Sequence, residues 1–152
     1  MTQTRKRGRM TLISAMAALM IAASCASAPP SKEVTLTDLV LSGDINAIKK
    51  FYSNREQLNT ADGQGLYPLH HAVMRGDAQI AEILIVLGAE KDVKDPAGKT
   101  PLRYAVDRKN ADMARMLVGR DADPFSADVS GSTPAEAALN AGTDMLRAVF
   151  NT

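Results

Sequence analysis

Residues 62–94, DGQGLYPLHHAVMRGDAQIAEILIVLGAEKDVK, run directly into residues 95–127, DPAGKTPLRYAVDRKNADMARMLVGRDADPFSA, and the second stretch rewrites the first. Asp62 and Asp95, Gly65 and Gly98, Pro68 and Pro101, Leu69 and Leu102, Ala72 and Ala105, Leu84 and Leu117, and Ala89 and Ala122 each stand 33 positions apart. The same step carries Gly98 to Gly131, Pro101 to Pro134 and Ala105 to Ala138. Each copy reads as a glycine-bearing turn, a helix begun at proline, a second helix and a closing loop. Units this short cannot cover their apolar faces alone and do so only by stacking. The pattern therefore predicts an all-α solenoid of stacked helical hairpins.

Position by position, the copies have a mechanical reading. Thr100 and Thr133 precede Pro101 and Pro134, and a hydroxyl cap followed by proline at the first helical position wastes no backbone donor. Tyr67 occupies that place in the first clear copy, where its hydroxyl cannot cap. Ala72, Ala105 and Ala138 mark close approach of neighbouring helices. The second helices are expected at Ala78 to Leu87 and Ala111 to Gly119, with Ile80, Ile83, Leu84 and Leu87, then Met113, Met116 and Leu117, on one face. Gly88 closes the first in a left-handed conformation. Asp121 holds the matching place in the second, where that conformation is tolerable but less comfortable.

A period of 33 with Pro68-Leu69-His70 in one copy and Thr100-Pro101-Leu102 in the next resembles the ankyrin repeat. The similarity covers about Val34 to Asn151. It implies a turn, two antiparallel helices and a loop per unit, and a binding module rather than an enzyme. Carried backward, the frame sets Gly43 before Gly76, Asp44 before Asp77 and Phe51 before Leu84. Residues 34–61 then form a degenerate first repeat. Thr37 or Asp38 would cap its first helix, which ends near Ser42 and Gly43, and Ile45 to Tyr52 would form its second. Residues 62–94 and 95–127 are full repeats, and 128–152 is a truncated last one, with Ala135 and Glu136 expected to be solvated there. Cores of this kind suit a composition with 45% hydrophobic residues, 4% aromatic and no tryptophan.

Residues 1–25 read as a secretory signal. Arg5, Lys6, Arg7 and Arg9 precede an uncharged run from Met10 to Ser24, too short for the roughly 20 apolar residues of a membrane span. The sole cysteine, Cys25, follows Ala22-Ala23-Ser24, which resembles the lipobox of bacterial lipoproteins; lipidation at Cys25 and an ordinary cut, after Ala26 or after Ala28, both remain open. Residues 26–33 form a Pro/Ser tether. Export to the periplasm is expected, with a membrane reached only through a lipid anchor on Cys25, on the outer membrane if that anchor exists. With four basic residues of the leader set aside, the chain carries three more acidic than basic residues. Such a body offers no electrostatic reason to bind nucleic acid. A lone cysteine excludes an intrachain disulfide.

The chemistry-bearing residues are few. His70 and His71 are the only histidines, and helix neighbours point about 100° apart, so they do not chelate one ion from one face. By the resemblance, His70 makes a structural hydrogen bond to the neighbouring turn, and Arg103 leaves that bond absent or remade in the next repeat. Neither a nucleophile motif nor a phosphate-binding glycine loop is present. The acids Asp92, Asp95, Asp121, Asp123 and Asp128 lack calcium-loop spacing. No catalytic residue, metal or cofactor is expected. Binding surface remains, and by family analogy it comprises Gln64, Leu66, Met74 and Arg75, then Ala97, Lys99, Asp107 and Arg108, then Ser130, Ser132 and Asn140. Leu66 and Met74 would be apolar residues on a solvated ridge, and Arg75, Lys99 and Arg108 a basic strip. The expected protein is a monomer that binds another envelope protein. It resembles small bacterial periplasmic ankyrin proteins, some of which support envelope enzymes such as catalase. An immunity protein or inhibitor of an exported toxin or enzyme is the alternative.

Overall fold

A computed structural model of the chain describes residues 34–50 and 55–150. The leader, Cys25 and the tether, and Phe51 and Tyr52 at the end of the first repeat, lie outside the described residues. Those described contain helices and no strand: α1 (Leu36–Ser42), α2 (Ile45–Lys50), α3 (Arg55–Leu58), α4 (Pro68–Arg75), α5 (Ala78–Leu87), α6 (Pro101–Asp107), α7 (Ala111–Gly119), α8 (Pro134–Ala141) and α9 (Thr143–Phe150). Helices α1, α4, α6 and α8 pack in sequence as an inner row. Helices α5, α7 and α9 form an outer row, each also packed on the inner helix that precedes it.

Helix starts follow local hydrogen bonding. Thr100 and Thr133 accept from Arg103 N–H at 3.3 Å and Glu136 N–H at 3.2 Å. Tyr67 makes no side-chain cap; instead its N–H donates to His70 Nδ1 at 3.2 Å, the backward half of a capping box. In the first repeat the cap is Thr35, not Thr37 or Asp38. Thr35 Oγ1 accepts from Asp38 N–H at 3.2 Å while the Asp38 carboxylate accepts from Thr35 N–H at 3.1 Å. Asp38 is thus the third helical residue of a reciprocal box, which moves the start two residues earlier.

The core is a continuous file. Leu69, Ala72, Leu84, Leu102, Ala105, Leu117 and Ala138 are all within 1% of complete burial. Replacing Leu84 or Leu117 by alanine in so closed a setting ordinarily costs about 2–5 kcal/mol. Stacking is equally tight at the turns. A Cβ on Gly98 (φ 74°) would meet the Val129 backbone nitrogen at 2.8 Å, so glycine is demanded there by both conformation and space.

Two departures sit at the far end. Between the paired helices, Gly43 and Gly76 take left-handed φ values of 78° and 77°, and Lys109 follows them at 56°. Gly142, next in line, sits at φ 114° and ψ 175°, and α9 starts one residue early. The 33-residue frame sets Leu146 and Phe150 against Met113 and Leu117, yet Met145 and Val149 are the buried pair. A one-residue slip has turned Phe150 outward, half exposed beside Phe125 at 6.2 Å between ring centres. Ala135 is buried rather than solvated, whereas Glu136 is exposed.

Candidate functional site

Three hairpin turns project from the stack, each built on one aspartate. Asp62 Oδ1 accepts from Gln64 N–H at 2.8 Å and Leu66 N–H at 3.0 Å. Asp95 Oδ1 accepts from Lys99 N–H at 2.8 Å. Asp128 Oδ1 accepts from Ser130 and Ser132 N–H at 2.9 and 3.1 Å. Such a carboxylate holds its own turn closed from within. The turns also stack, since Val129 N–H donates to the Ala97 carbonyl at 3.0 Å. The result is a row of tips, Gln64, Ala97 and Ser130, all exposed and 33 residues apart.

The second oxygen of each aspartate is used differently. Asp62 Oδ2 lies 2.7 Å from His71 Nε2, Asp95 Oδ2 accepts from the Tyr104 hydroxyl at 2.6 Å, and Asp128 Oδ2 lies 3.2 Å from Arg103 Nη1. Burial raises Asp62, but the bonds from Leu66, His71 and Gln64 outweigh it and leave the carboxyl below its usual range. Asp128 is held down mainly by the Ser130 hydroxyl. The Tyr104 phenol is pushed up to about 12, first by burial and then by its bond to Asp95.

Joints between repeats are made one turn further in. His70 is fully buried, and with Nδ1 accepting from Tyr67 its Nε2–H donates to the Lys99 carbonyl at 3.1 Å. Both ring nitrogens are satisfied only by the neutral imidazole, and burial pulls its pKa down despite the Lys99 carbonyl. Its ring also meets Tyr104 edge-on at 5.5 Å. At the next joint the bond is remade: Arg103 Nη1 donates to the Ser132 carbonyl at 3.2 Å and hydroxyl at 3.0 Å. Arg103 Nε also pairs with Asp107 Oδ1 at 2.9 Å. Burial raises the Asp107 carboxyl, and Lys99 and Arg103 together bring it below its usual value.

The residues singled out from sequence divide by accessibility. Gln64, Arg75, Ala97, Asp107, Arg108, Ser130 and Asn140 are exposed. Leu66 and Met74 are half-buried rather than solvated, and Leu66 is drawn in by the Asp62 turn. The basic strip is largely committed to the protein itself. Arg75 donates to the Leu41 carbonyl, and Lys99 pairs with Asp107 at 2.8 Å while lying 5.7 Å over the Tyr104 ring. Among the described residues Arg108 has no ion pair. Asp107, Ser132 and Asn140 share a groove with Arg103 and Lys109 between α6 and α8, whereas Gln64 and Arg75 lie in the preceding repeat, outside it. Arg103 and Lys109 complete that groove, and each had a signal in the sequence: one takes the His70 place, the other the Gly76 place.

Among the described residues no group of three or more His, Cys, Asp or Glu side chains is placed to hold a metal. A family model described as Ankyrin repeats (3 copies) matches residues 36–128. No curated protein gives a significant match.

Proposed function

We propose, since this chain belongs to the ankyrin-repeat family of protein-interaction modules, that it is a non-catalytic binding protein of the bacterial envelope serving as an accessory or protective partner of another envelope protein. Export through residues 1–25, with lipidation at Cys25 as one route to the membrane, is part of this proposal and rests on the leader sequence alone. One observation carries the binding surface: the exposed row Gln64, Ala97 and Ser130 stands on turns whose own bonds are already satisfied. A rigid row of this kind binds without first paying to order its loops. Beside it the groove of Asp107, Lys109 and Asn140 offers both charge signs and an amide, which suits a polar partner surface.

The test is capture of partners from envelope extract by the full chain, compared with a variant carrying Gln64→Arg and Arg108→Glu. A partner retained by the parent, lost by the variant, and still active or protected when bound is the expected result. Capture that abolishes the partner's activity supports the inhibitor reading instead. Capture insensitive to both substitutions overturns this choice of surface. Radiolabelled palmitate incorporation that disappears in Cys25→Ser establishes the anchor, and no incorporation in the parent removes it.

A further inference from the structure

Large side chains reach back across the first joints of the inner row. Arg75 on α4 donates to the Leu41 carbonyl of α1. Tyr104 on α6 meets the ring of His70 on α4, 5.5 Å between centres. The 33-residue step carries the Arg75 place to Arg108 and then to Ala141, and the Tyr104 place to Ala137. On α8 both places are therefore alanine. A groove of about 290 Å³ opens there between α6 and α8, lined by Val106, Ala137 and Ala141 and by Asp107, Lys109 and Asn140.

The charges of this groove are unequally engaged. Asp107 accepts from Lys99 at 2.8 Å and from Arg103 at 2.9 Å, and Arg103 also holds Asp128 at 3.2 Å. The carboxylates are thus matched by cations of the chain itself. Lys109 and Asn140 are exposed, and among the described residues neither side chain makes a hydrogen bond or an ion pair. Lys109 is also held against local preference. Its φ is 56°, at the place where Gly43 and Gly76 stand in the earlier repeats, and a side chain in that region carries a steric penalty that glycine avoids. A cation favours the carboxyl end of α6, but Arg108 at the cap already supplies one. A strained residue whose charge the fold does not use points to a use outside the fold. The chemistry left over is one ammonium and one amide beside a floor of small apolar side chains.

We propose, on the footing that the turns and this groove are the binding surface, that the groove takes an extended acidic segment of the partner protein. One aspartate or glutamate carboxylate sits between the Lys109 ammonium and the Asn140 amide, and an adjoining side chain lies over Ala137 and Ala141. The test immobilises the full chain and pans it with phage displaying short random peptides. Expected are selected peptides enriched in Asp and Glu. The tightest of them should bind Lys109→Gly about tenfold more weakly, as loss of a bond to a charged group does. The denaturant midpoint of that variant should stay level or rise, because the left-handed strain is relieved. Ala137→Tyr, which restores the side chain of the preceding repeat, should block the groove with helical circular dichroism unchanged. Lys109→Glu should turn the selection toward Lys and Arg. Selection of no peptide, or of peptides without acidic enrichment, overturns the proposal. So does binding indifferent to Lys109→Gly and Ala137→Tyr, or binding lost in Lys109→Gly together with stability. Envelope capture indifferent to Gln64→Arg and Arg108→Glu removes the wider surface, whereas peptide binding indifferent to the groove substitutions removes only the acidic segment, so the two failures are told apart.

Discussion

The last two joints between neighbouring repeats use one position and two chemistries. At the first, a buried neutral imidazole spans from α4 to the Lys99 carbonyl; at the second, a guanidinium 15% exposed in its side chain spans from α6 to Ser132. Both span 29 residues of sequence. What the repeat preserves is therefore a donor at the right height above the next turn. What it leaves free is whether that donor is kept dry or held by carboxylates. The dry joint is the more brittle, because water cannot replace what a substitution removes.

His70→Ala should therefore cost more stability than any change confined to the second of these joints. It empties a closed site and strands the Lys99 carbonyl and Tyr67 N–H, together costing about 3 kcal/mol. Arg103→Ala opens a site that water reaches, and its ion pairs are partly screened, so about 1 kcal/mol is expected. Denaturant midpoints of the two variants measure the difference. Equal losses would erase the distinction between the joints.

Acid sharpens the same comparison. The His70 pKa is lowered on folding by burial, so the unfolded chain binds the proton more tightly. Its contribution is complete above the ordinary imidazole value of about 6.5 and drains away as pH falls through that value, with a slope of at most about 1.4 kcal/mol per pH unit. The Arg103 joint has no group titrating there. Its carboxylates Asp107 and Asp128 are held low, so its contribution persists to more acid pH and fails only as they protonate. Stability measured at several pH values should fall below neutrality in the parent and fall less in His70→Gln. Parallel curves would show that the imidazole is not confined to its neutral form.

Much of this fold was legible because glycine, proline and threonine act locally. A threonine before Pro101 or Pro134 and a glycine at position 88 mark ends whatever surrounds them, and α5 and α7 run over the residues that their apolar spacing predicts. The frame itself was less informative where two local solutions compete. Thr35 and Thr37 are both fit to cap α1, and only the returning carboxylate of Asp38 selects the first. Gly142 matches Gly76 by position but not in conformation, and that one dihedral change exposes Phe150. For the candidate surface, family position indicates which residues neighbour the turns but not how far each is drawn in. Leu66 and Met74 are both half-buried, and for Leu66 the reason belongs to Asp62. The pairs made by the aspartates' second oxygens join side chains 9 residues apart in the two full repeats, a spacing with no helical or strand signature.

Those second oxygens supply the smallest effect and the finest comparison. Asp62 meets an imidazole and Asp95 a phenol at equivalent positions, and a phenol donating to a carboxylate must give up its best bond to ionise. One of the three tyrosines should therefore ionise near a pH of about 12, seen as phenolate absorbance while helical circular dichroism persists. Asp95→Asn removes the charge but keeps an oxygen for the turn, so the late phase should move toward the ordinary phenol value of about 10 with little loss of stability. If it stays late, burial alone holds the proton and the carboxylate serves only its own turn. If it moves the whole way, the bond outweighs burial at Tyr104, and the turn carboxylates of this stack set the protonation of the helices behind them.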